Sequence, residues 1–150
     1  MTHHTTPQTM RLPARLPHRL PDWQLRLEAF VSAHQCQPFA WGANDCATFA
    51  ANCVQALTGQ DPAPAGLRNH RTAKQATRTL NRHGGLVGIA TAVFGQPVPV
   101  AGAQVGDVLL VRFGKRMALG ICNGATVIGP GPAGTVAVGF DRAAACWRVA

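Results

Sequence analysis

The feature that most constrains this chain is a change of periodicity along it. Up to about residue 94, apolar residues recur at intervals of three and four. After residue 107 they fall in short runs separated by glycine-containing turns. The first pattern suits helices that bury one face, and the second suits strands. Helices gathered in one part and strands in the other predict an α+β domain, with an N-terminal helical layer packed on a small antiparallel sheet.

The best-defined element is a helix over 46–58, where Cys46, Phe49, Ala50, Cys53, Val54 and Leu57 recur at helical spacing. Asp45 is its natural cap and Gly59 closes it. A helix over 23–35 precedes it, with Asp22 as cap and Trp23, Leu27, Phe30 and Val31 on one face. A basic helix is expected over about 70–83, stopping at Gly84-Gly85, then a short apolar helix over 86–94 and a Pro/Gly/Ala linker over 96–104. Strands are expected over 108–113, 117–122, 126–128, 136–138 and 146–149, with Asn123-Gly124 as a two-residue hairpin turn.

At 150 residues, 47% of them hydrophobic, one domain with a real core is expected, needing neither disulfide nor metal. No run of about 18 apolar residues occurs, so no membrane span is predicted. The polar, Pro-rich start lacks the apolar stretch of a signal peptide. Five cysteines at irregular spacing contain no C-x-x-C pair, which argues against a zinc ribbon. The scattered histidines offer no metal-ligand spacing, and no cofactor is expected. The net charge of +8 favours acidic partners. Nucleic acid is disfavoured as the partner, because the chain has no Tyr, few aromatics and no recognition motif.

Ahead of the domain, residues 1–21 form an arm in which Arg-Leu-Pro occurs at 11–13, 15–17 and 19–21. Proline restricts its own backbone and that of the residue before it, so this arm is expected to be extended. It cannot bury its leucines on itself. It packs along its own domain, docks on a neighbouring subunit or stays a solvated tail, and docking on a neighbour is the expectation. The domain then runs over 22–150.

Among the cysteines, Cys46 alone has an argument for reactivity. Unpaired N–H groups and the macrodipole in a helix's first turn lower a thiol's pKa. Against this, Cys46 also continues the buried stripe of its helix. Asp45 caps the helix and can also bind the chain at Trp41-Gly42. Trp41 and Gly42 are the candidate walls of a binding cleft. A thiol nucleophile also needs an imidazole as base. His83, beside Gly84-Gly85, is the least unsuitable histidine. His34 and His70 end other elements, and His3, His4 and His18 lie in the arm.

The segment Phe39-Ala40-Trp41-Gly42-Ala43-Asn44-Asp45-Cys46-Ala47-Thr48-Phe49 resembles the Asp-Cys nucleophile motif of NlpC-type cell-wall peptidases, a branch of the papain-like superfamily. Gly106-Asp107-Val108 is similar to the opening of their first core strand, and Met117 to Gly124 to the next. The chain also resembles a family of small phage and prophage proteins. That likeness lies in Arg19-Leu20-Pro21-Asp22-Trp23, the Trp-Gly-x-x-Asp-Cys box, Thr58 to Pro62, Gly84-Gly85-Leu86 and Trp147-Arg148-Val149.

The resemblance implies an NlpC/papain-like fold and a place among the tail-tip or baseplate proteins of a phage. The chain would be made in the host cytoplasm and carried in the virion tail, with other tail-tip proteins and peptidoglycan as partners. It also implies that the catalytic histidine should stand at the start of the second core strand, where this chain has Ala118. The expected function is therefore a structural component with a degenerate peptidase site. The alternative is an active cysteine amidase or endopeptidase that cuts stem peptides with Cys46 as nucleophile.

Overall fold

The computed structural model describes residues 18–64 and 66–150, so the first two Arg-Leu-Pro units lie outside the described residues. Four α-helices come first: α1 (Trp23–His34), α2 (Cys46–Thr58), α3 (Ala73–Arg82) and α4 (Gly85–Phe94). Five strands follow: β1 (Val108–Phe113), β2 (Arg116–Cys122), β3 (Val127–Gly131), β4 (Gly134–Val138) and β5 (Ala143–Trp147). They form one antiparallel sheet in the order β4-β3-β2-β1-β5. The architecture is α+β. None of the described helices is long and apolar enough to cross a membrane.

The stripe predicted on α2 organises the core. Phe49, Cys53, Val54 and Leu57 are fully buried, packed with Leu27 and Phe30 of α1 and with Leu119, Ile121 and Trp147 of the sheet. The Trp147 indole N–H donates to Thr91 Oγ1 of α4 at 3.2 Å, satisfying its one polar atom in the core. The sheet's other face carries Leu109, Val111, Cys122, Val127 and Cys146, covered by the 98–103 segment and Phe140.

Several local expectations are corrected. Asp22 occupies the α1 cap position but makes no capping bond; its carboxylate accepts from Arg26 Nε at 2.8 Å instead. Helix α3 begins three residues later than expected, because Thr72 accepts from the Gln75 amide and supplies the cap. The Asn123-Gly124 connection is a four-residue loop, in which the Asn123 side chain accepts from the Thr126 amide and hydroxyl. The last strand ends at Trp147, because Val149 is drawn out of the ladder to donate its N–H to Asp107.

The arm boundary also moves. Arg19-Leu20-Pro21 belongs to the domain: the Arg19 N–H donates to Ala150 and the Leu20 N–H to Leu57. The Arg19 guanidinium donates to the carbonyls of Val149 and Val105, both at 2.7 Å, and meets Asp107 at 3.2 Å.

Candidate functional site

The start of α2 is built by a loop that leaves Asp45 little freedom. Asp45 Oδ1 accepts from the Thr48 N–H, and Thr48 Oγ1 accepts from the Asp45 N–H, both at 2.9 Å. This reciprocal capping box satisfies two donors at the helix start. Asp45 Oδ2 accepts from the Gly42 N–H at 2.8 Å, so one carboxylate both caps the helix and holds the loop before it. Gly42 has φ +76°, and a Cβ there would meet the carbonyl oxygens of His70 and Arg68, so the turn requires glycine. Asn44, buried, donates to the carbonyls of Gln37 and Pro38 and secures the loop's other side.

Cys46 opens from this loop into a cleft of roughly 450 Å³. Phe39 and Trp41, packed edge to face at 4.7 Å, form one wall. Leu80 of α3 and Leu86 of α4 form another, and Phe113, Met117 and Ala118 complete it from the sheet. The structure thus brings Cys46, Trp41 and Ala118 to one cleft, with Asp45 buried in the loop that leads into it. Strand alternation gives the face beneath α2 to Leu119 and Ile121, and Ala118 reaches the cleft from its edge. Gly42 lies on a neighbouring polar recess with Arg71, which shares Trp41 with the cleft.

None of the described residues lining the cleft is a histidine, aspartate or glutamate. His83, the candidate base, ends α3 and does not line it. His34 is occupied elsewhere, donating to the Phe30 carbonyl and stacking on that ring at 4.0 Å. His70 is buried behind Gly42. His3 and His4 lie outside the described residues. Arg116 is the only charged side chain among the described lining residues, and a cation cannot take a proton from a thiol. The described residues contain no cluster of potential metal ligands.

The acidity expected of Cys46 is reversed. Burial pushes its thiol up to about 11, and the neighbouring Asp45 carboxylate adds to the rise. The Leu119 N–H, with those of Ala47 and Cys46 itself, favours the thiolate but does not offset burial. The site is a partly exposed thiol in a largely apolar cleft, with no described group placed to activate it.

Sequence reading missed two features. The α3 contribution was hidden by the helix's basic residues, although Ala73, Ala76, Thr77 and Leu80 recur at the spacing of one face. Asp107, placed by sequence only at the opening of a strand, is a fully buried hub for Arg19, Arg148 at 3.4 Å and the amides of Gln104 and Val149. Only the pairing of a carboxylate with residues at both chain ends identifies it, and spacing does not carry that information.

No curated protein matches the chain. Residues 18–149 match the family described as a domain of unknown function, DUF6950. With nearly its whole length so matched, the chain belongs to the DUF6950 family.

Proposed function

We propose that this chain is a catalytically degenerate relative of the NlpC-type, papain-like cysteine peptidases, serving as a structural component of a phage tail tip or baseplate. One observation carries the degenerate part of this reading. The thiol that starts α2 opens into a cleft that Ala118 also lines, and the described lining offers no general base. Papain-like hydrolysis requires a base to take the thiol proton and an acid to give a proton to the leaving amine. None of the described lining residues can fill either role. The tail-tip role rests on the sequence resemblance to small phage proteins. Its partners are then neighbouring tail-tip proteins, and its location is the virion tail.

The retained thiol, the capped helix start and the open apolar cleft favour a second reading. In it the chain cleaves peptidoglycan stem peptides with Cys46 as nucleophile, and the base comes from outside the described residues. The structural role is tested on purified particles of a phage encoding the chain. Antibody raised against the domain should decorate the tail tip in electron micrographs. Particles without the protein, with the chain found free in the lysate, would rule the role out.

A further inference from the structure

We infer that the Cys46 cleft and two recesses beside it form a docking groove for an acidic segment of a partner protein, with one apolar side chain of that segment seated in the cleft. The choice of a protein as partner rests on the proposed structural role, and the chemistry of the segment follows from the residues of the groove. One recess, of roughly 350 Å³, shares Trp41 with the cleft and is lined by Arg71 and the buried His70. The other, of roughly 530 Å³, shares Met117 with the cleft and is lined by Arg112 and Arg142. Arg116 lines the cleft itself. Cations thus adjoin an apolar centre at two of its walls.

Sheet register gathers the cations on the Met117 side. Across β1 and β2, Arg112 stands opposite Met117 and Phe113 opposite Arg116, with Gly114-Lys115 as the turn between them. Residues directly opposite in an antiparallel pair are close neighbours. Arg142 joins them from the next strand, because Ala143 of β5 stands opposite Val111 of β1. Arg112, Lys115, Arg116 and Arg142 are all exposed, and so is Met117 at 41%. The hairpin tip is therefore a cationic surface with an apolar side chain in its middle.

The chain does not neutralise these cations itself. All 6 of its Asp and Glu residues lie among the described residues. Asp22, Asp61 and Asp107 are paired with Arg26, Arg68, Arg19 and Arg148. Asp45 is used in capping, and Glu28 lies beside α1, on another groove. Asp141 lines the Met117-side recess, where Arg112 and Arg142 outnumber it, and it pairs with neither. Arg71, Arg112, Arg116 and Arg142 are in no ion pair, so acids from another molecule can meet them at no cost to an existing contact.

The lining of the cleft selects the occupant. Phe39, Leu80, Leu86 and Met117 offer no hydrogen bond. A nucleobase seated among them would leave polar edge atoms unpaired, which is costly, whereas an apolar side chain would not. A single-headed amphiphile carries its charge at one end, but the arginines adjoin the cleft at two walls. A peptide with acidic residues on both sides of an apolar one matches the cleft and both recesses. An apolar anchor in a pocket supplies the affinity of such a contact, and the charged rim sets the choice of partner.

The test uses the full chain, 15N-labelled and carrying Cys46→Ala, titrated with a synthetic peptide that has acidic residues on both sides of a central leucine. The Trp41 indole N–H and the amides of Met117 and Ala118 should shift and saturate. Replacing the leucine by serine should abolish the shifts. The variant R112Q/R116Q/R142Q, which alters only exposed side chains, should bind about tenfold more weakly, the combined effect of three exposed ion pairs. No shift at millimolar peptide would overturn the proposal, as would equal binding of the serine peptide or equal binding by the triple variant. So would an oligo-dT strand that displaces the peptide from the same signals at lower concentration. Cleavage of the peptide by the parent protein, with saturable shifts in Cys46→Ala, would support the docking groove and overturn the degenerate site, so the two readings fail separately.

Discussion

A thiol in the first turn of a helix is subject to two opposing influences, the N–H groups that favour its anion and the burial that opposes it. At Cys46 burial prevails, and the capping carboxylate of Asp45 adds a like charge to the forming thiolate. The same Asp45 that defines the turn therefore works against the nucleophile when no imidazole is present to counter it. An imidazolium at position 118 would supply the missing positive charge. Ala118→His is expected to lower the Cys46 pKa and to speed its alkylation at pH 7 by at least about tenfold, since one pKa unit changes the thiolate fraction tenfold. The comparison is of iodoacetamide labelling rates at Cys46 in the two proteins. An unchanged rate in a folded variant would mean that the edge position of Ala118 does not bring a ring to the sulfur.

Helix α2 carries the site, and it also carries a pH dependence. Burial pushes Cys53 up to about 12, alongside Cys46 at about 11, from an ordinary value of 9.0. In the unfolded chain both thiols ionise near that ordinary value. Their contribution to stability is therefore complete below about pH 9 and is lost as pH climbs through 11 and 12. Thermal unfolding followed by circular dichroism should give a flat Tm from pH 6 to 8 and a steep fall above 9, and Cys53→Ala should make that fall shallower. A Tm in C53A that falls as steeply as in the parent would contradict the burial argument. The legibility of the elements follows from how local their causes are. Helix α2 was readable residue by residue, because its cap, stripe and terminal glycine all act within the segment. The Asn123 loop was misread because the Asn123 side chain, and not only its backbone, closes the turn. The end of β5 was misread because Val149 answers to Asp107, forty-two residues away.

Across the whole molecule, the chain ends are tied together through the buried Asp107 carboxylate, which joins Arg19 near one end to Arg148 and Val149 at the other. Removing one member of a buried ion pair leaves the others uncompensated, at a cost of roughly 3–5 kcal/mol. Asp107→Ala should therefore lose about that much stability in urea unfolding. Deleting residues 1–17 should change it little, and deleting 1–21, which takes Arg19 and Leu20, should destabilise the domain strongly. Equal stability of the two truncations would show that the Arg19 anchor contributes nothing. The α+β order and the placement of Cys46 at a capped helix start were legible because pattern and capping are local. The raised thiol pKa and the two-ended tie were not, because desolvation and long-range pairing exist only after folding. Among the described residues, the lining of the Cys46 cleft holds no group able to take the thiol proton. The most direct test is release of soluble fragments from purified peptidoglycan by the full chain, with Cys46→Ala in parallel. No release above background is expected from either protein, whereas turnover by the parent that disappears in Cys46→Ala would show that the cleft does activate its thiol.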